Sequence, residues 1–507
     1  MFELIGTLAC AVALFPAGAR WLRVAQREHY LPGATTRFAW RWWGLRPAAP
    51  AMAAVALAGA GLAFVYPLVA LAPAAVVVVG PPWLGVRGRT APLVFTPRMR
   101  RLTAVWLVLQ ALVIGIGILV HHAAPVAALG ACAVPVLVDA AAALLSPLER
   151  RLVTPFVTAA QSRLAQVAPT VVAITGSFGK TSTKQHVAHL LAGSRTVVAS
   201  PASFNNRAGL ARAINEQLLP GTEVFVAEMG TYGKGEIAEL CRWCPPSIAV
   251  ITAIGPVHLE RFKTEDAIVA AKSEITETAH TVILNVDDPH LAALADRLAA
   301  AGTKSVVRCS AVDTAADVCV EAAGGVVTVH VRGGVAGSDI NLPGSVQPTN
   351  LACALAVVLA LDVPPAVALS RIATLPTVPN RLASAQAPSG VWVIDDTFNS
   401  NPSGSRVALA ELARRGGGGR RVVVTPGMVE LGPLQFEANR AFAEEIARVA
   451  TDLVIVGHTN RRALRAGSPP LHPLCVRTRE EAVTWVRATL GPGDAVLYEN
   501  DLPDHYR

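Results

Sequence analysis

The run Val171-Val172-Ala173-Ile174-Thr175-Gly176-Ser177-Phe178-Gly179-Lys180-Thr181-Ser182-Thr183 decides the fold of this 507-residue chain. Its β-branched start predicts a strand, a turn with two glycines follows, and Lys-Thr opens a helical pattern. Glycines let the backbone approach anionic oxygens, a helix N-terminus offers unpaired N–H groups, Lys180 adds a cation, and Thr181 can ligate Mg²⁺. The run therefore predicts a phosphate-binding loop. A glycine turn with a chance lysine is the alternative.

The glycine spacing separates this loop from the standard Walker form. That form would have a glycine at position 174, where this chain has Ile174, so the pattern is the shorter Thr-Gly-x-x-Gly-Lys-Thr. We expect the loop and the first helical turn to bind phosphate. The candidate residues are Thr175, Gly176, Ser177, Gly179, Lys180, Thr181 and Ser182.

The composition of the chain is uneven. Apolar residues make up 52% and charged residues 16%, and the mean hydropathy is +0.44. The apolar excess precedes residue 147, which favours a membrane segment over an apolar soluble core. Five apolar stretches, most of them near the ~20 residues that a bilayer requires, lie at about residues 2–15, 49–66, 67–86, 102–120 and 124–145. We predict a transmembrane domain of about five helices over residues 1–146 and an interfacial linker helix over residues 147–170.

Arginines indicate the orientation of this domain. They occupy one long loop at positions 20, 23, 27, 37, 41 and 46 and a second at 87, 89, 98, 100 and 101, whereas the turns near 66–67 and 121–122 have neither Lys nor Arg. The positive-inside rule predicts a multi-pass protein of the inner (plasma) membrane, with both basic loops and everything after Arg150 in the cytoplasm. A cleaved signal peptide is the alternative for the first stretch, but Glu3 precedes its apolar core and arginines follow it.

The net charge of +8 follows largely from these arginines. Because they lie beside membrane spans, with tryptophans as interfacial anchors, they point to membrane lipid as a partner. No nucleic-acid partner is expected.

Asp139 lies within the fifth apolar stretch, where a carboxylate is costly. No intramembrane lysine or arginine is present to pair with it. We therefore expect a helix-packing hydrogen bond rather than a role in transport.

The eight cysteines are scattered, and those after residue 147 would lie in a reducing cytosol, so no disulfides are expected. Cys241-Arg242-Trp243-Cys244 has no second Cys or His pair at zinc spacing. Chance spacing at a helix end is favoured over a metal or redox motif.

From Val171 onward, short β-branched runs alternate with helical patterns, which predicts an α/β architecture with a mostly parallel sheet. We divide this part into a central domain, residues 171–376, and a C-terminal domain, residues 377–507. The predicted strand at 224–227 leads into Glu228, at the carboxyl end of a strand, where an acid could contact Mg²⁺ beside a phosphate loop. His258 and Lys272 follow the predicted strand at 248–251.

These residues and their neighbours together resemble the Mur ligase family. The loop at 175–181, Asn205-Asn206, Glu228-Met229-Gly230, His258-Leu259-Glu260 and Ala271-Lys272-Ser273-Glu274 match its central domain in order and spacing. Asp395-Asp396-Thr397-Phe398-Asn399-Ser400-Asn401-Pro402 resembles Asp-Asp-x-Tyr-Asn-Ala-Asn-Pro, and the run 427–432 resembles Gly-Asp-Met-x-Glu-Leu-Gly. Both motifs are typical of the branch that adds D-Ala-D-Ala to UDP-N-acetylmuramoyl-tripeptide. The resemblance covers about residues 170–460.

The resemblance implies a P-loop central domain, a Rossmann-like C-terminal domain, and ATP and Mg²⁺ as cofactors. Lys180 and the loop amides would hold the ATP phosphates, and Thr181 and Glu228 would bind one Mg²⁺. Glu228, His258 and a carbamylated Lys272 would bind a second Mg²⁺, because CO₂ converts the repelling ammonium into an oxygen ligand. The remaining implied contacts are Asn350, Arg381 and Asp396 for the nucleotide and Asn205, Asn206, Asn399 and Asn401 for the substrate.

The implied activity is ATP-dependent amide ligation in cell-envelope synthesis. A carboxylate would attack the γ-phosphate, and an amine would displace phosphate from the resulting acyl phosphate. The expected substrate is a small-molecule or lipid-linked muramyl-peptide-like precursor. The alternatives are a poly-γ-glutamate-type or other capsule ligase and a non-catalytic membrane scaffold. A transport ATPase would need a Leu-Ser-Gly-Gly-Gln signature and a GTPase an Asn-Lys-x-Asp motif, and the chain has neither.

The chain departs from the family pattern at several positions. Val346-Gln347 stands where His-Asn is usual, Asn380-Arg381-Leu382 replaces Gly-Arg-Leu, and Gly427 replaces the Asp of Gly-Asp-Met. The C-terminal stretch from Glu499 lacks the Lys-Gly-Ser-Arg type of ending. We expect the predicted membrane spans to stand in place of the N-terminal domain that grips UDP in the family.

The predicted topology can be tested by cysteine labelling in intact cells. A membrane-impermeant maleimide should label a His121→Cys variant from outside and leave an Arg37→Cys variant unlabelled, since the short turn at 121–122 has no Lys or Arg whereas Arg37 lies in an arginine-rich loop. The reverse pattern would contradict the orientation.

Overall fold

The computed structural model describes residues 1–44, 48–82, 84–86, 92–201, 204–257, 259–343, 346–376, 381–398, 400–502 and 506. The chain divides into two compact units: Met1–Thr154 with Leu502–Arg507, and Pro155–Asp501. Nearly all of the two ligase domains predicted from the sequence therefore belongs to one compact unit.

The first unit is helical. Its helices are α1 (Phe2–Arg27), α2 (Ala34–Gly44), α3 (Ala48–Leu62), α4 (Leu71–Val79), α5 (Pro97–Leu119), α6 (Ala123–Cys132) and α7 (Val134–Val167), of which α7 continues into the second unit. Small residues let these helices pack closely: a Cβ added at Gly6 would lie 2.8 Å from the Cβ of Ala124.

Among the described residues, two helices are long and apolar enough to cross a membrane. They are α1, with 26 residues, and α5, with 23 residues; an 18-residue stretch within each has a mean hydropathy of 1.7 and 2.4, respectively. The number rises to four if the bent pairs α2–α3 and α6–α7 each form one span. With both bent pairs counted, four of the five expected spans have a candidate helix among the described residues. The stretch at 67–86 has none, because its helical part ends at Val79 before Pro81 and Pro82.

The predicted linker helix at 147–170 is not a separate element. Helix α7, with 34 continuous residues, covers it as far as Val167, although Pro147 and Pro155 each remove one backbone donor within the helix. The helix continues because Ala, Leu, Glu, Gln and Arg, which favour helix, are frequent around both prolines.

Buried charges of the first unit cap helix ends. Asp139 accepts hydrogen bonds from the backbone N–H groups of Thr35 (3.2 Å) and Thr36 (2.7 Å) at the start of α2. This is the helix-packing role expected for Asp139. Arg20, also buried, donates to the carbonyls of Val77 (2.9 Å), Val78 (3.0 Å), Gly80 and Leu84 (both 2.6 Å) at and beyond the end of α4. Both side chains satisfy backbone groups at helix ends that have no partner within the helix.

The first sheet of the second unit forms the central domain. Its strands, in chain order, are β1 (Thr170–Thr175), β2 (Val197–Ala199), β3 (Val224–Glu228), β4 (Ile248–Ile251), β5 (Thr281–Asn285), β6 (Ser305–Ser310), β7 (Val318–Ala323), β8 (Val326–Val331) and β9 (Gly334–Asn341). They are arranged as β2-β3-β1-β4-β5-β6-β7-β8-β9. Neighbours are parallel from β2 to β7, as the sequence predicts, and antiparallel from β7 to β9.

Helices connect and cover this sheet. They are α8 (Lys180–Leu191), α9 (Arg207–Gln217), α10 (Glu236–Trp243), α11 (Leu259–Phe262), α12 (Glu265–Ser273), α13 (Pro289–Ala301), α14 (Pro348–Ala360) and α15 (Pro365–Leu369). The apolar helix α14 packs on α8 and on strands β5 to β7, and its residues Leu351–Val358 are buried in the same core as β1 and β3.

The second sheet forms the C-terminal domain. Its strands are β10 (Ala383–Gln386), β11 (Trp392–Asp396), β12 (Arg421–Thr425), β13 (Asp452–Val456), β14 (Leu474–Val476) and β15 (Ala495–Glu499), in the order β10-β11-β15-β12-β13-β14. Within this sheet, only the β10–β11 pair of the described strands is antiparallel. The helices are α16 (Pro402–Arg415), α17 (Gln435–Val449), α18 (Arg461–Gly467) and α19 (Arg479–Thr489).

Candidate active site

The candidate loop lies at the carboxyl edge of the parallel sheet, next to the central strand β1. The chain leaves β1 through the loop into α8, while β3 and β4 flank β1 on opposite sides. Ligands of open α/β sheets bind at the carboxyl ends of such strands, where the connections diverge. The loop at 176–179, Glu228 and Thr252 all lie at this edge, because each follows or ends one of these three strands.

The two glycines of the loop are required by its backbone and by its neighbours. Gly176 has φ +153° and Gly179 φ +84°, both unfavourable for residues with a Cβ. A Cβ would lie 2.0 Å from Thr252 Oγ1 at Gly176 and 2.3 Å from Asn350 Oδ1 at Gly179. The loop therefore keeps its backbone in close contact with its surroundings.

Ser177 ties the loop to the segment after β4. Its N–H donates to Ala253 O (2.8 Å), its hydroxyl donates to Gly255 O (3.1 Å), and the N–H of Gly255 lies 3.0 Å from the same hydroxyl oxygen. The Thr175 hydroxyl is fully buried and has no hydrogen-bond partner among the described residues. These contacts hold the loop in a defined conformation.

Lys180 begins α8 and folds back over the loop. Its ammonium donates to Gly176 O (2.7 Å) and Ser177 O (3.4 Å). Burial lowers the pKa of Lys180 to about 8; the Arg381 guanidinium adds to this effect, and the Glu228 carboxylate opposes it. An anion bound at the loop would therefore stabilise the charged form of Lys180.

Glu228 is the buried acid at the end of β3. Its Oε2 accepts from the hydroxyl of Thr181 (3.0 Å) and the ammonium of Lys184 (2.9 Å), and its Oε1 accepts from the amide of Asn205 (3.3 Å). Burial alone would raise the pKa of Glu228, but the charges of Lys184 and Lys180 and the hydrogen bonds lower it. Glu228 is therefore a carboxylate near neutral pH.

Sequence reasoning missed Lys184, although its position gave a usable signal. Lys184 follows Lys180 by four residues, so both lie on one face of α8. Phe178, Thr252 and Asn285 were missed as well; each of them follows or ends a strand and lines the cavity described below.

Thr181 and Glu228 fit a magnesium ion that is shared with a phosphate. A hydroxyl and a carboxylate 3.0 Å apart are the donors that Mg²⁺ uses beside phosphate oxygens and water. Among the described residues no group of three His, Cys, Asp or Glu forms a metal site. Phosphate and water would therefore have to complete the coordination shell.

Lys272 lies on α12 and is 5% exposed. Burial, with the charge of Lys180 in addition, lowers its pKa well below the usual lysine value. No described residue pairs with its ammonium. Glu274, a candidate partner if Lys272 were a surface residue, instead accepts from the N–H groups of Gly235 (2.7 Å) and Ala238 (3.1 Å). Lys272 is therefore a buried residue and not a solvated surface lysine. His258 lies outside the described residues.

A cavity of about 500 Å³ opens beside the loop. Candidate residues from both ligase domains line it: Gly179, Ser182, Asn350, Arg381, Asp396 and Asn401. Gln347, at one of the departures from the family pattern, lines it too. Its size suits a nucleotide, since small-molecule sites span roughly 300–1,000 Å³.

Arg381 and Asp396 are charged residues of the C-terminal domain that line the cavity. The Arg381 guanidinium lies 4.0 Å from the centre of the Phe398 ring, and Asp396 accepts from the N–H of Leu382 (3.1 Å). Burial raises the pKa of Asp396 to about 6, and the Asp395 charge acts in the same direction; the Leu382 N–H and Arg381 oppose the shift.

The asparagines assigned to substrate have different surroundings. Asn205 contacts Glu228, whereas Asn206 caps α9 through the N–H of Gly209 (3.0 Å). Asn401 lines the cavity and accepts from the N–H of Gly404 (2.9 Å). Asn399 lies outside the described residues.

The structure explains why a glycine occupies position 427. Its φ is +79°, and a Cβ would lie 2.3 Å from Asn439 Oδ1 and 2.8 Å from Asn460 Nδ2. Asn500 donates to its carbonyl (2.7 Å). The three buried asparagines fix this turn, so the aspartate usual in the family has no room here.

Cys241 and Cys244 do not form a reactive pair. Both are buried, and burial raises the pKa of each thiol to about 12. Cys241 lies 3.8 Å from the Met229 sulfur. The pair is part of the core.

Comparison with known proteins agrees with this geometry. The model of the Mur ligase middle domain matches residues 174–358, and that of the Mur ligase glutamate ligase domain matches residues 380–498. The crystal structure of MurF ligase from Thermotoga maritima in complex with ADP is 26% identical, has a TM-score of 0.61, and is matched over 69% of this chain and 80% of its own.

Two curated relatives carry the name UDP-N-acetylmuramoyl-tripeptide–D-alanyl-D-alanine ligase. The one from Mycobacterium leprae is 34% identical over 371 residues, which are 65% of this chain and 70% of the relative. The one from Mycobacterium tuberculosis (strain CDC 1551 / Oshkosh) is 32% identical over 376 residues, which are 67% and 72%. On this similarity, together with the two domain matches, the chain belongs to the Mur ligase family of ATP-dependent acid–amino-acid ligases.

Proposed function

We propose that this protein is a membrane-anchored amide ligase of cell-envelope synthesis that activates a carboxylate of a muramyl-peptide-like precursor with ATP. The proposal rests on one observation. Lys180, Glu228 and Lys272 lie near one another at one edge of the sheet, beside a cavity that Arg381 and Asp396 line from the other domain. The relatives named above support the substrate class.

The residues around the loop would bind ATP by its phosphates. The backbone at 176–179 and the N-terminus of α8 offer N–H groups, and Lys180 and Arg381 offer positive charge. Asn350 and Asp396 line the cavity that would receive the nucleoside. Burial of these cations raises the free energy of the empty site, and a polyphosphate would relieve this cost.

Thr181 and Glu228 would hold one Mg²⁺, and Glu228, His258 and a carbamylated Lys272 a second. When bound, these ions would offset the negative charge gathered at the transferred phosphoryl group. The low pKa of Lys272 favours its modification, because only the neutral amine reacts with CO₂. The buried position, for which no described residue is an acidic partner, also favours an anionic carbamate near Lys180 over a second ammonium.

The reaction needs no protein nucleophile. The acceptor carboxylate would attack the γ-phosphorus of ATP, which releases ADP and leaves an acyl phosphate. The amine nitrogen would then attack the acyl carbon, phosphate would leave, and the nitrogen would lose a proton. The loop, Lys180 and Arg381 would orient the phosphates and keep water away from the acyl phosphate.

The N-terminal helices would anchor the ligase domains at the cytoplasmic face of the membrane. Their length and apolarity support this role, as does the arginine pattern. An anchored ligase would act where lipid-linked precursors are found, while UDP-linked precursors would reach it by diffusion.

The substrate can be identified with the detergent-purified full chain. Phosphate release from ATP would be measured against UDP-linked and lipid-linked muramyl peptides, each with D-Ala-D-Ala or single amino acids. We expect release only when a carboxylate and an amine are both present. Release that does not depend on either one would contradict ligation.

Lys180→Ala should lower ATP turnover by roughly 10²–10³-fold, because it removes a fixed cation from the phosphates. Phosphate release under saturating substrates measures this loss. The exposed Lys234→Ala is the matched control and should keep full turnover. Turnover of Lys180→Ala within a few-fold of wild type would exclude the loop as the site.

Lys272→Ala should abolish ligation, and short carboxylic acids such as acetate should partly restore it by supplying the missing oxygen ligand. Initial rates with and without added acid test this. Glu277→Ala, at an exposed position on the turn after α12, should remain active. An active Lys272→Ala enzyme would contradict a metal-binding role for the carbamate.

A further inference from the structure

Lys184 is a buried cation that the proposed reaction does not use. It lies one turn after Lys180 on α8, and its side chain is 2% exposed. Its ammonium donates to Glu228 Oε2 at 2.9 Å and to Pro201 O at 3.3 Å. The side chain therefore joins the helix after the phosphate loop to the acid at the end of β3.

Lys184 and Thr181 share a single oxygen of Glu228. The Thr181 hydroxyl donates to Oε2 at 3.0 Å, while the side-chain amide of Asn205 donates to Oε1 at 3.3 Å. A divalent cation bound by Thr181 and Glu228 would approach that same oxygen. The ammonium of Lys184 already occupies a position beside it.

The surrounding charges disfavour a further cation. Three cations act on this region: Lys180 and Lys184 on Glu228, and Arg381 on Lys180. The carboxylates that oppose them are Glu228 and Asp396. With positive charge in excess, a free metal ion gains little at Glu228 unless an anion arrives with it.

We propose that Lys184 serves as the cation of Glu228 whenever nucleotide is absent, so that a divalent metal enters this position only together with the phosphates of ATP. The ammonium then moves from Oε2 toward anionic phosphate oxygens. This inference rests on the proposed function, because it takes Glu228 as a metal ligand.

A purely structural ion pair would explain the contact less well. Buried ion pairs seldom stabilise a fold more than apolar residues of similar size would, because both charges lose their hydration. Glu228 also has two neutral donors, Thr181 and Asn205, which could satisfy it without a charge. Unlike these two donors, the ammonium of Lys184 places a positive charge where the metal would bind.

The test measures Mn²⁺ binding to the detergent-purified full chain without nucleotide, by the loss of the electron paramagnetic resonance signal of free Mn²⁺. Lys184→Gln removes the charge and keeps a donor for Glu228. We expect it to bind Mn²⁺ at least about tenfold more tightly than wild type, since the competing unit charge is gone. A loss of packing alone would not produce a gain of metal affinity.

Two variants serve as controls. Lys184→Arg keeps the charge and should bind Mn²⁺ as weakly as wild type. The double variant Lys184→Gln/Glu228→Gln should lose the gain. Circular dichroism and melting temperature report folding, and Lys184→Met replaces Lys184→Gln if the latter does not fold.

An affinity of Lys184→Gln and Lys184→Met no higher than that of wild type would overturn the proposal, as would a gain that persists in the double variant. Binding of a fluorescent ATP analogue, measured with Mg²⁺ on the same samples, tests the proposed function separately. A wild-type protein that binds no nucleotide would contradict the ligase proposal, whatever the Mn²⁺ result.

Discussion

The carboxylate of Glu228 joins the parts of the candidate site. It ends β3, which pairs with β1 in a register that sets Glu228 opposite Ile174, just before the phosphate loop. Thr181 and Lys184 reach it from α8, and Asn205 reaches it from the connection after β2. A single buried acid thus links the loop, the helix after it and the candidate substrate segment.

The charged forms of several cations at this site are destabilised by burial. Lys180, Lys272 and Arg381 all have lowered pKa values for which burial is the largest cause, so each is less stable as a cation here than in water. Such shifts cluster at functional sites because a bound partner of opposite charge offsets them. The site is organised for an anion larger than any that the protein itself supplies.

The helical N-terminal unit uses its buried charges differently. Asp139 and Arg20 satisfy backbone groups at helix ends, and Glu3 does the same by accepting from the N–H of Ala124 (2.7 Å) at the start of α6. Without such partners, these backbone groups would be unsatisfied away from water. The charges therefore hold this helical unit together and give no indication of a transport path.

The sequence by itself determined the local elements and their chemistry. The strand at 248–251, the loop with its two glycines and the acid at the end of β3 all follow from β-branched runs, turn residues and spacing along a few neighbouring residues. The motif resemblance likewise depends only on order and spacing. Gly427 could be seen as a departure from the family pattern, but its reason could not, because that reason is three asparagines distant in sequence.

Only the tertiary structure decided which side chains meet. Lys184 and Glu228 are 44 positions apart, and their contact depends on β3 lying beside β1, which no local pattern specifies. The burial of Lys272 and the stacking of Arg381 on Phe398 depend in the same way on packing between distant segments. Hydropathy also could not predict the number of candidate spans or the continuity of α7. It measures the length of an apolar stretch but not where a helix bends or continues. Periodicity reports the environment along one element, whereas a site is built from several elements whose order in the sheet is fixed by the whole core.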